Sequence, residues 1–161
     1  MYQHAPEPVQ SHHMLVPPCR AAQTTGERVA ISGSRERSDR ETIEAVIDDL
    51  PAGTIVLTGG CAGPDLWAEA AARARGLAVE TFAPELPEHG PGYLYTKAYY
   101  KRNCALVAAC DRLIAFPIGP RGGTWHTIGQ AVLAGKPITI IPPASPPARL
   151  EPALDGPGSG A

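Results

Sequence analysis

The stretch RLIAFPIGPRGGTWHTIGQAVLAGKPITII, residues 112–141, joins two short apolar runs through a glycine-rich bend and a helical pattern. Ile128, Ala131 and Val132 give the helical pattern one apolar stripe, and Gly135 is suited to end it. Two apolar strands connected by a helix form a parallel pair in a sheet that helices cover. The stretch therefore predicts a parallel sheet with a flexible loop after one of its strands.

The same alternation of strand and helix patterns extends towards the N-terminus. Five apolar runs are predicted as strands: RVAIS (28–32), TIVLT (54–58), AVETFA (78–83), RLIAF (112–116) and PITII (137–141). The helical patterns between them begin near Ser38, at Pro64, near residue 94 and near Thr124. We therefore predict an α/β fold, a Rossmann-like three-layer sandwich whose parallel sheet has about five strands in the order 3-2-1-4-5.

The first helix has the clearest start signal. Ser38 and Glu41 have the spacing of a capping box, and apolar residues recur at helical spacing over residues 43–50. This pattern predicts a helix with one buried stripe. Arg37 and Arg40 are interpreted as solvated charges of the preceding loop.

Length and composition favour one folded unit. The chain has 161 residues, of which 43% are hydrophobic, enough for a single domain with a sizeable core. Residues 1–26 and 142–161 are rich in proline and small or polar residues and are predicted to be disordered tails. The predicted domain is 27–141.

Charge and cysteine content restrict the function classes. A net charge of -2 gives no general attraction to nucleic acid or to an anionic membrane, so both partners are disfavoured. The cysteines Cys19, Cys61, Cys104 and Cys110 form no CxxC pair, and no metal site or cofactor is predicted. No apolar run approaches the roughly 20 residues of a membrane span, so a cytoplasmic protein is expected.

Three glycine-rich bends follow predicted strands: SGSRE (32–36), TGGCAGPD (58–65) and PIGPRGGT (117–124). Ligands of such sheets bind at the carboxyl ends of the strands, where the strand order reverses. Glycine allows close approach of the backbone, and free amides at a helix N-terminus attract anions. We expect a phosphate cradle there, although each bend taken alone is also typical of a tight turn. The predicted ligand-binding residues are Gly33, Ser34, Arg35, Gly59, Gly60, Gly119, Arg121, Gly122, Gly123 and Thr124.

Several familiar nucleotide and hydrolase motifs are absent from the sequence. There is no GxxxxGK[ST] loop, and GSRERS differs from the GxGxxG fingerprint. The second strand ends in TGG, where a dehydrogenase carries a ribose-binding carboxylate. A GxSxG nucleophile elbow is also missing. P-loop NTPases, nicotinamide-dependent dehydrogenases and serine hydrolases are therefore disfavoured.

Four blocks resemble the SLOG superfamily: ISGSRE, LTGGCAGPDLWAEAAARARG, KRNCALVAACDRLIAFP and GPRGGTWHTIGQAVLAGKPI. The resemblance is closest to the YspA and cpYpsA-related branch, whose relatives include the Lonely Guy phosphoribohydrolases and DprA-type proteins. It implies a Rossmann-like fold, a pocket for a nucleotide or nucleotide-derived ligand, and a homodimer. Arg102 and Asn103 match the RN pair of the family and join the predicted ligand-binding residues. For Asn103, bracing a loop is the favoured alternative to ligand contact.

The sequence departs from the Lonely Guy pattern at one catalytic position. The last block of those enzymes reads GGxGTxxE, and the position of its glutamate is Thr127 here. Cleavage of an N-glycosidic bond uses a carboxylate near the reacting carbon. Asp65 or Glu69 is a candidate substitute, and His126 is a candidate base. Asp65 also fits a simple role at a helix N-terminus.

Three function classes follow from these observations. The preferred one is the binding or sensing of a nucleotide or nucleotide-derived ligand, because it explains both the glycine loops and Thr127. The alternatives are a phosphoribohydrolase-like N-glycoside hydrolase and a DprA-like nucleic-acid-binding module. The aromatic cluster Tyr93, Tyr95, Tyr99 and Tyr100 is suited to stacking a nucleobase or to packing.

Overall fold

The structure is a computed structural model, and it describes residues 26–144. The predictions made for the tails fall almost entirely outside these residues, as does Cys19. The described chain contains nine elements: β1 (Arg28–Gly33), α1 (Arg40–Asp48), β2 (Ile55–Thr58), α2 (Pro64–Ala74), β3 (Ala78–Thr81), α3 (Gly92–Ala109), β4 (Arg112–Phe116), α4 (Gly123–Leu133) and β5 (Ile138–Ile140).

The five strands form one sheet in the order β3-β2-β1-β4-β5, and every pair is parallel. This confirms the predicted α/β class and strand order. The order reverses between β1 and β4, whose last residues, Gly33 and Phe116, lie opposite each other. At the opposite end of these two strands, the amide of Arg28 donates to Asp111 Oδ2 at 2.7 Å, which joins the starts of β1 and β4.

Two apolar cores lie on opposite faces of the sheet. Val29 and Ile31 of β1 pack with α1 and α2, whereas Ala30 between them packs with α3 and α4. Successive side chains of a strand point to opposite faces, so a strand covered on both sides is apolar throughout. The arrangement is a three-layer sandwich with two helices on each face.

The predicted capping box does not form. Helix α1 begins at Arg40, two residues after Ser38, and no side chain caps its first turn. Asp39 at the cap position instead accepts hydrogen bonds from Arg37 at 2.6 and 2.5 Å. The Asp39 carboxylate therefore pairs with the Arg37 guanidinium and does not cap the helix.

The interpretation of Arg37 as a solvated charge was wrong. Its side chain is buried, donates to the carbonyl oxygens of Pro117 and Ile141, and lies 5.5 Å from the centre of the Phe116 ring. Arg37 thus joins the loop after β1 to the segments after β4 and β5. Arg40 is exposed and pairs with Glu44 one turn later, in agreement with the prediction.

None of the helices in residues 26–144 has the length and hydropathy to cross a bilayer. The same residues contain no group of three or more histidine, cysteine, aspartate or glutamate side chains placed to hold a metal ion.

Candidate functional site

A cavity of about 400 Å³ lies at the carboxyl ends of the central strands. It is lined by the loops after β1, β2 and β4 and by one face of α3, which are brought together where the strand order reverses. Ten predicted ligand-binding residues line it: Gly33, Ser34, Arg35, Gly59, Arg102, Asn103, Arg121, Gly122, Gly123 and Thr124. Gly60 and Gly119 lie outside the lining.

Arg102 of α3 is a buried cation in the cavity wall, with 8% of its surface exposed. Its Nη1 donates to the carbonyl oxygen of Phe82 and its Nη2 to Cys61 Sγ, both at 3.3 Å. Within the described chain it forms no ion pair with a carboxylate, and its Nε has no hydrogen-bond partner. A buried guanidinium is usually paired with an anion, so this one is incompletely satisfied.

Gly59 makes room for this guanidinium. A Cβ atom at position 59 would lie 1.5 Å from Arg102 Nη1 and 2.9 Å from Asp65 Oδ2. Because no side chain fits there, glycine allows Arg102 to lie directly against the end of β2.

Asp65 holds the first two glycine loops together. Its Oδ1 accepts from the amide of Gly33 at 3.3 Å, and its Oδ2 accepts from the amides of Gly59 and Cys61 at 3.1 and 3.3 Å. Burial raises the pKa of Asp65 from 3.8 to about 6, against the opposing effect of these amides and of Arg102. The carboxylate lines the cavity, but both of its oxygens already accept hydrogen bonds from the protein.

The loop after β4 has a different arrangement. Gly119 and Gly122 adopt φ angles of 62° and 112°, and α4 begins at Gly123 without a side-chain cap. The amides of Gly123 and Thr124 lie in the first helical turn, where no intrahelical acceptor is available. They have no other acceptor in residues 26–144. These amides and the helix dipole make this end of the cavity suitable for an anion.

Two side chains position that loop. Asn103 Nδ2 donates to the carbonyl oxygen of Gly123 at 3.3 Å, and Trp125 Nε1 donates to that of Gly119 at 2.7 Å. Asn103 therefore braces the loop while also lining the cavity. Arg35 and Arg121 are exposed and add two further cations to the lining.

Thr127, which the sequence pattern places where the Lonely Guy enzymes have a glutamate, is fully buried. Its hydroxyl donates to the carbonyl oxygen of Gly123 at 3.1 Å and accepts from Ser32 Oγ at 3.3 Å. The residue joins α4 to β1 and supplies no carboxylate to the cavity.

Glu69 and His126, the other two candidate catalytic residues, lie outside the cavity lining. Glu69 accepts from the hydroxyls of Thr58 and Thr81 at 2.5 and 3.0 Å and pairs with Arg73. Burial would raise the pKa of Glu69, but these three donors outweigh it and the pKa is lowered.

His126 stacks on Tyr100, with ring centres 3.8 Å apart and an angle of 4° between the planes. Burial lowers the pKa of its imidazole. Of the three candidate catalytic residues, the structure brings only Asp65 to the cavity.

Six lining residues were absent from the predicted set: Ser32, Glu36, Cys61, Thr96, Leu106 and Ile118. Cys61 lies within the second glycine loop, so its position alone was a usable signal. Thr96 was also detectable, because it is three residues before Tyr99 and seven before Asn103 on the same face of α3. Tyr99 and Tyr100, considered earlier as stacking residues, also line the cavity.

The strand order and a polar cavity at the point where that order reverses define a Rossmann-like α/β protein. Residues 27–89 match the model of the YspA, cpYpsA-related SLOG family. The Gene 61 protein of Mycobacterium phage D29 is 38% identical over 118 residues, which cover 69% of this chain and 93% of that protein. The chain belongs to the YspA, cpYpsA-related SLOG family.

Two DprA structures share the fold. DNA processing protein A from Streptococcus pneumoniae superposes with a TM-score of 0.64 at 23% identity over 74% of this chain and 51% of its own. The second is DNA processing protein A from Helicobacter pylori, whose structure was described for its single-stranded DNA binding mode. It superposes with a TM-score of 0.60 at 17% identity, over 72% of this chain and 65% of its own. The present chain thus spans between half and two thirds of these proteins.

Proposed function

We propose that the protein binds a nucleotide or nucleotide-derived ligand in this cavity and places its phosphate against Arg102 and the start of α4. The observation that carries the proposal is the buried guanidinium of Arg102, which forms no salt bridge in residues 26–144. The Asp65 carboxylate interacts with it electrostatically, but accepts its hydrogen bonds from backbone amides. Burying a charge costs free energy unless a partner compensates for it. A phosphate would supply that partner, because its oxygens accept charge-assisted hydrogen bonds.

The other lining groups favour the same chemistry. Arg35 and Arg121 add positive charge, and the amides of Gly123 and Thr124 add donors without side-chain bulk. Phosphate groups bind at helix N-termini through such donors. The backbone amides would therefore contact the proposed anion from fixed positions, and the arginine side chains could adjust to it.

The rest of the cavity is suited to an organic ligand. Its volume of about 400 Å³ falls in the range of about 300 to 1,000 Å³ that is usual for small-molecule sites. Tyr99 and Tyr100 provide aromatic surface, and the Arg102 guanidinium lies 5.7 Å from the centre of the Tyr99 ring. Aromatic and guanidinium surfaces can stack with a nucleobase.

Binding is favoured over glycoside hydrolysis because the expected carboxylate is missing. Thr127 replaces it, and the oxygens of Asp65 already accept three backbone amides. Glu36 is the remaining carboxylate of the lining, and it is exposed. Glycoside hydrolysis is the alternative function, and the experiment below also detects it.

The test measures retention of nucleotides by native mass spectrometry, using a mixture of AMP, GMP, CMP and UMP. We expect Arg102→Met to weaken retention about ten- to hundredfold, since hydrogen bonds to charged groups contribute about 1.5 to 3 kcal/mol. Arg40→Met is the control, because Arg40 is an exposed arginine of α1 outside the lining. An incompletely paired buried charge costs free energy, so we expect Arg102→Met to remain folded, and weaker retention by the folded variant reports on binding.

Three results would change the conclusion. Equal retention by wild type and Arg102→Met would contradict the proposed role of the guanidinium. Free base produced in proportion to protein would establish a hydrolase. Displacement of the nucleotides by a single-stranded DNA oligomer, with a strong salt dependence, would support the DprA-like alternative.

A further inference from the structure

Cys61 is a thiol in the cavity wall, inside the second glycine loop. Its side chain is partly exposed, and its Sγ accepts a hydrogen bond from Arg102 Nη2 at 3.3 Å. The same guanidinium has a buried Nε without a partner and lines the same cavity. The sulfur atom therefore occupies one of the positions next to Arg102 that an anion would use.

The other two described thiols provide internal comparisons. Cys104 is exposed, and its Sγ lies 3.5 Å from Gln130 Oε1. Cys110 is buried, and burial raises the pKa of its thiol. Cys61 is distinct from both because it combines solvent access with a hydrogen bond from a guanidinium.

We propose that Cys61 is a site of oxidation by hydroperoxides, and that its oxidation and the occupation of the cavity by an anion exclude each other. The second half of this proposal rests on the proposed function. Cationic neighbours favour reaction at a cysteine, and accessible cysteines of this kind are the ones oxidised selectively.

The reaction is a two-electron transfer. The sulfur of Cys61 attacks one oxygen of hydrogen peroxide, an S–O bond forms and the O–O bond breaks. The leaving hydroxide takes the thiol proton and departs as water, which leaves a sulfenic acid on Cys61. The Arg102 guanidinium stabilises the negative charge that develops during the transfer.

The product explains the mutual exclusion. Oxidation adds an oxygen atom to Sγ, which already lies 3.3 Å from Arg102 Nη2. The new oxygen accepts from the guanidinium and fills space that a phosphate oxygen would need. In the opposite direction, a bound phosphate covers the thiol and takes its donor.

The experiment uses the reduced full-length chain, hydrogen peroxide and dimedone, which tags sulfenic acids, followed by peptide mass spectrometry of each cysteine. We expect Cys61 to be tagged about tenfold faster than Cys104, with Cys110 slowest. Arg102→Met should bring the rate at Cys61 towards that of Cys104. The mixture of AMP, GMP, CMP and UMP should protect Cys61 and leave Cys104 unchanged.

A second measurement compares nucleotide retention before and after peroxide within each variant. Wild type and Cys104→Ser should lose retention after peroxide, whereas Cys61→Ser should keep the retention it had before. Equal tagging of Cys61 and Cys104 would overturn the proposal even if nucleotides bind. Retained nucleotide without protection of Cys61 would also overturn it. Selective tagging of Cys61 in a chain that retains no nucleotide would support the oxidation site while contradicting the proposed function.

Discussion

The glycines of the first two loops and those of the loop after β4 differ in what surrounds them. A Cβ atom at Gly33 would lie 2.3 Å from Pro64 Cβ, and one at Gly59 would overlap Arg102. By contrast, a Cβ atom at Gly119, Gly122 or Gly123 would meet no atom within 4 Å. The first two loops are therefore packed against the protein itself, whereas the third borders open space.

The backbone amides show the same difference. Asp65 accepts from Gly33, Gly59 and Cys61, so the first two loops already hold an anionic group supplied by the chain. The amides at the start of α4 have no such acceptor in the described residues. The comparison indicates that the first two loops form a fixed wall and that the third offers free donors to a ligand.

The largest expected effect on stability comes from Gly33→Ala. The added methyl group would collide with Pro64, a buried ring with little freedom to move, and overpacking of this kind costs up to about 3 kcal/mol. Urea unfolding measures the loss. Gly129→Ala is the matched control, because Gly129 lies in α4 with no atom within 4 Å of its Cβ, and alanine there should add roughly 0.5 to 1 kcal/mol. A loss below 1 kcal/mol at position 33 would show that the wall is not fixed.

A pH-dependent effect on stability is expected from the titration of Asp65, whose pKa is raised by burial to about 6. The folded protein holds this proton more tightly than the unfolded chain does. The stabilisation is therefore complete below about pH 4 and is lost as the pH rises through about 6. The Asp65→Asn variant lacks this titrating group. We therefore expect the difference in the free energy of unfolding, wild type minus variant, to fall by about 2 to 3 kcal/mol between pH 4 and pH 7.

The other titrating groups are common to the wild type and the variant, so their contributions cancel in this difference. Urea unfolding of both proteins at several pH values measures the difference. A difference that is flat, or that rises with pH, would mean that the three amides outweigh burial and that the pKa of Asp65 is not raised. The carboxylate would then act as a permanent anion of the wall.

The sequence was sufficient to predict the sheet and the position of the cavity. Apolar runs separated by helical patterns determine a parallel sheet, and parallel strands bring their following loops to one edge. The predicted strand order is the one that the structure shows, β3-β2-β1-β4-β5. Local patterns were sufficient here because each of them agrees with the global fold.

Contacts between distant parts of the chain were not predictable in the same way. Arg37 belongs to a polar loop, and its burial depends on carbonyl groups 80 and 104 residues away. Glu69 follows Asp65 by one helical turn, yet its carboxylate meets the hydroxyls of Thr58 and Thr81. Helical spacing identifies a shared face, but the depth of each side chain depends on the neighbouring strands.

Of the substitutions considered, Gly123→Ala at the first position of α4 should change the free energy of unfolding least. Its Cβ would enter open space, and alanine favours helices over glycine, so the free energy of unfolding should change by less than about 1 kcal/mol. The methyl group would nevertheless border the cavity beside the free amides, and retention of the mixture of AMP, GMP, CMP and UMP should fall. Urea unfolding and native mass spectrometry on the same preparation measure the two quantities. Unchanged stability with weaker retention would place the ligand at this loop, whereas destabilisation comparable to that of Gly33→Ala would mean that all three loops are packed alike.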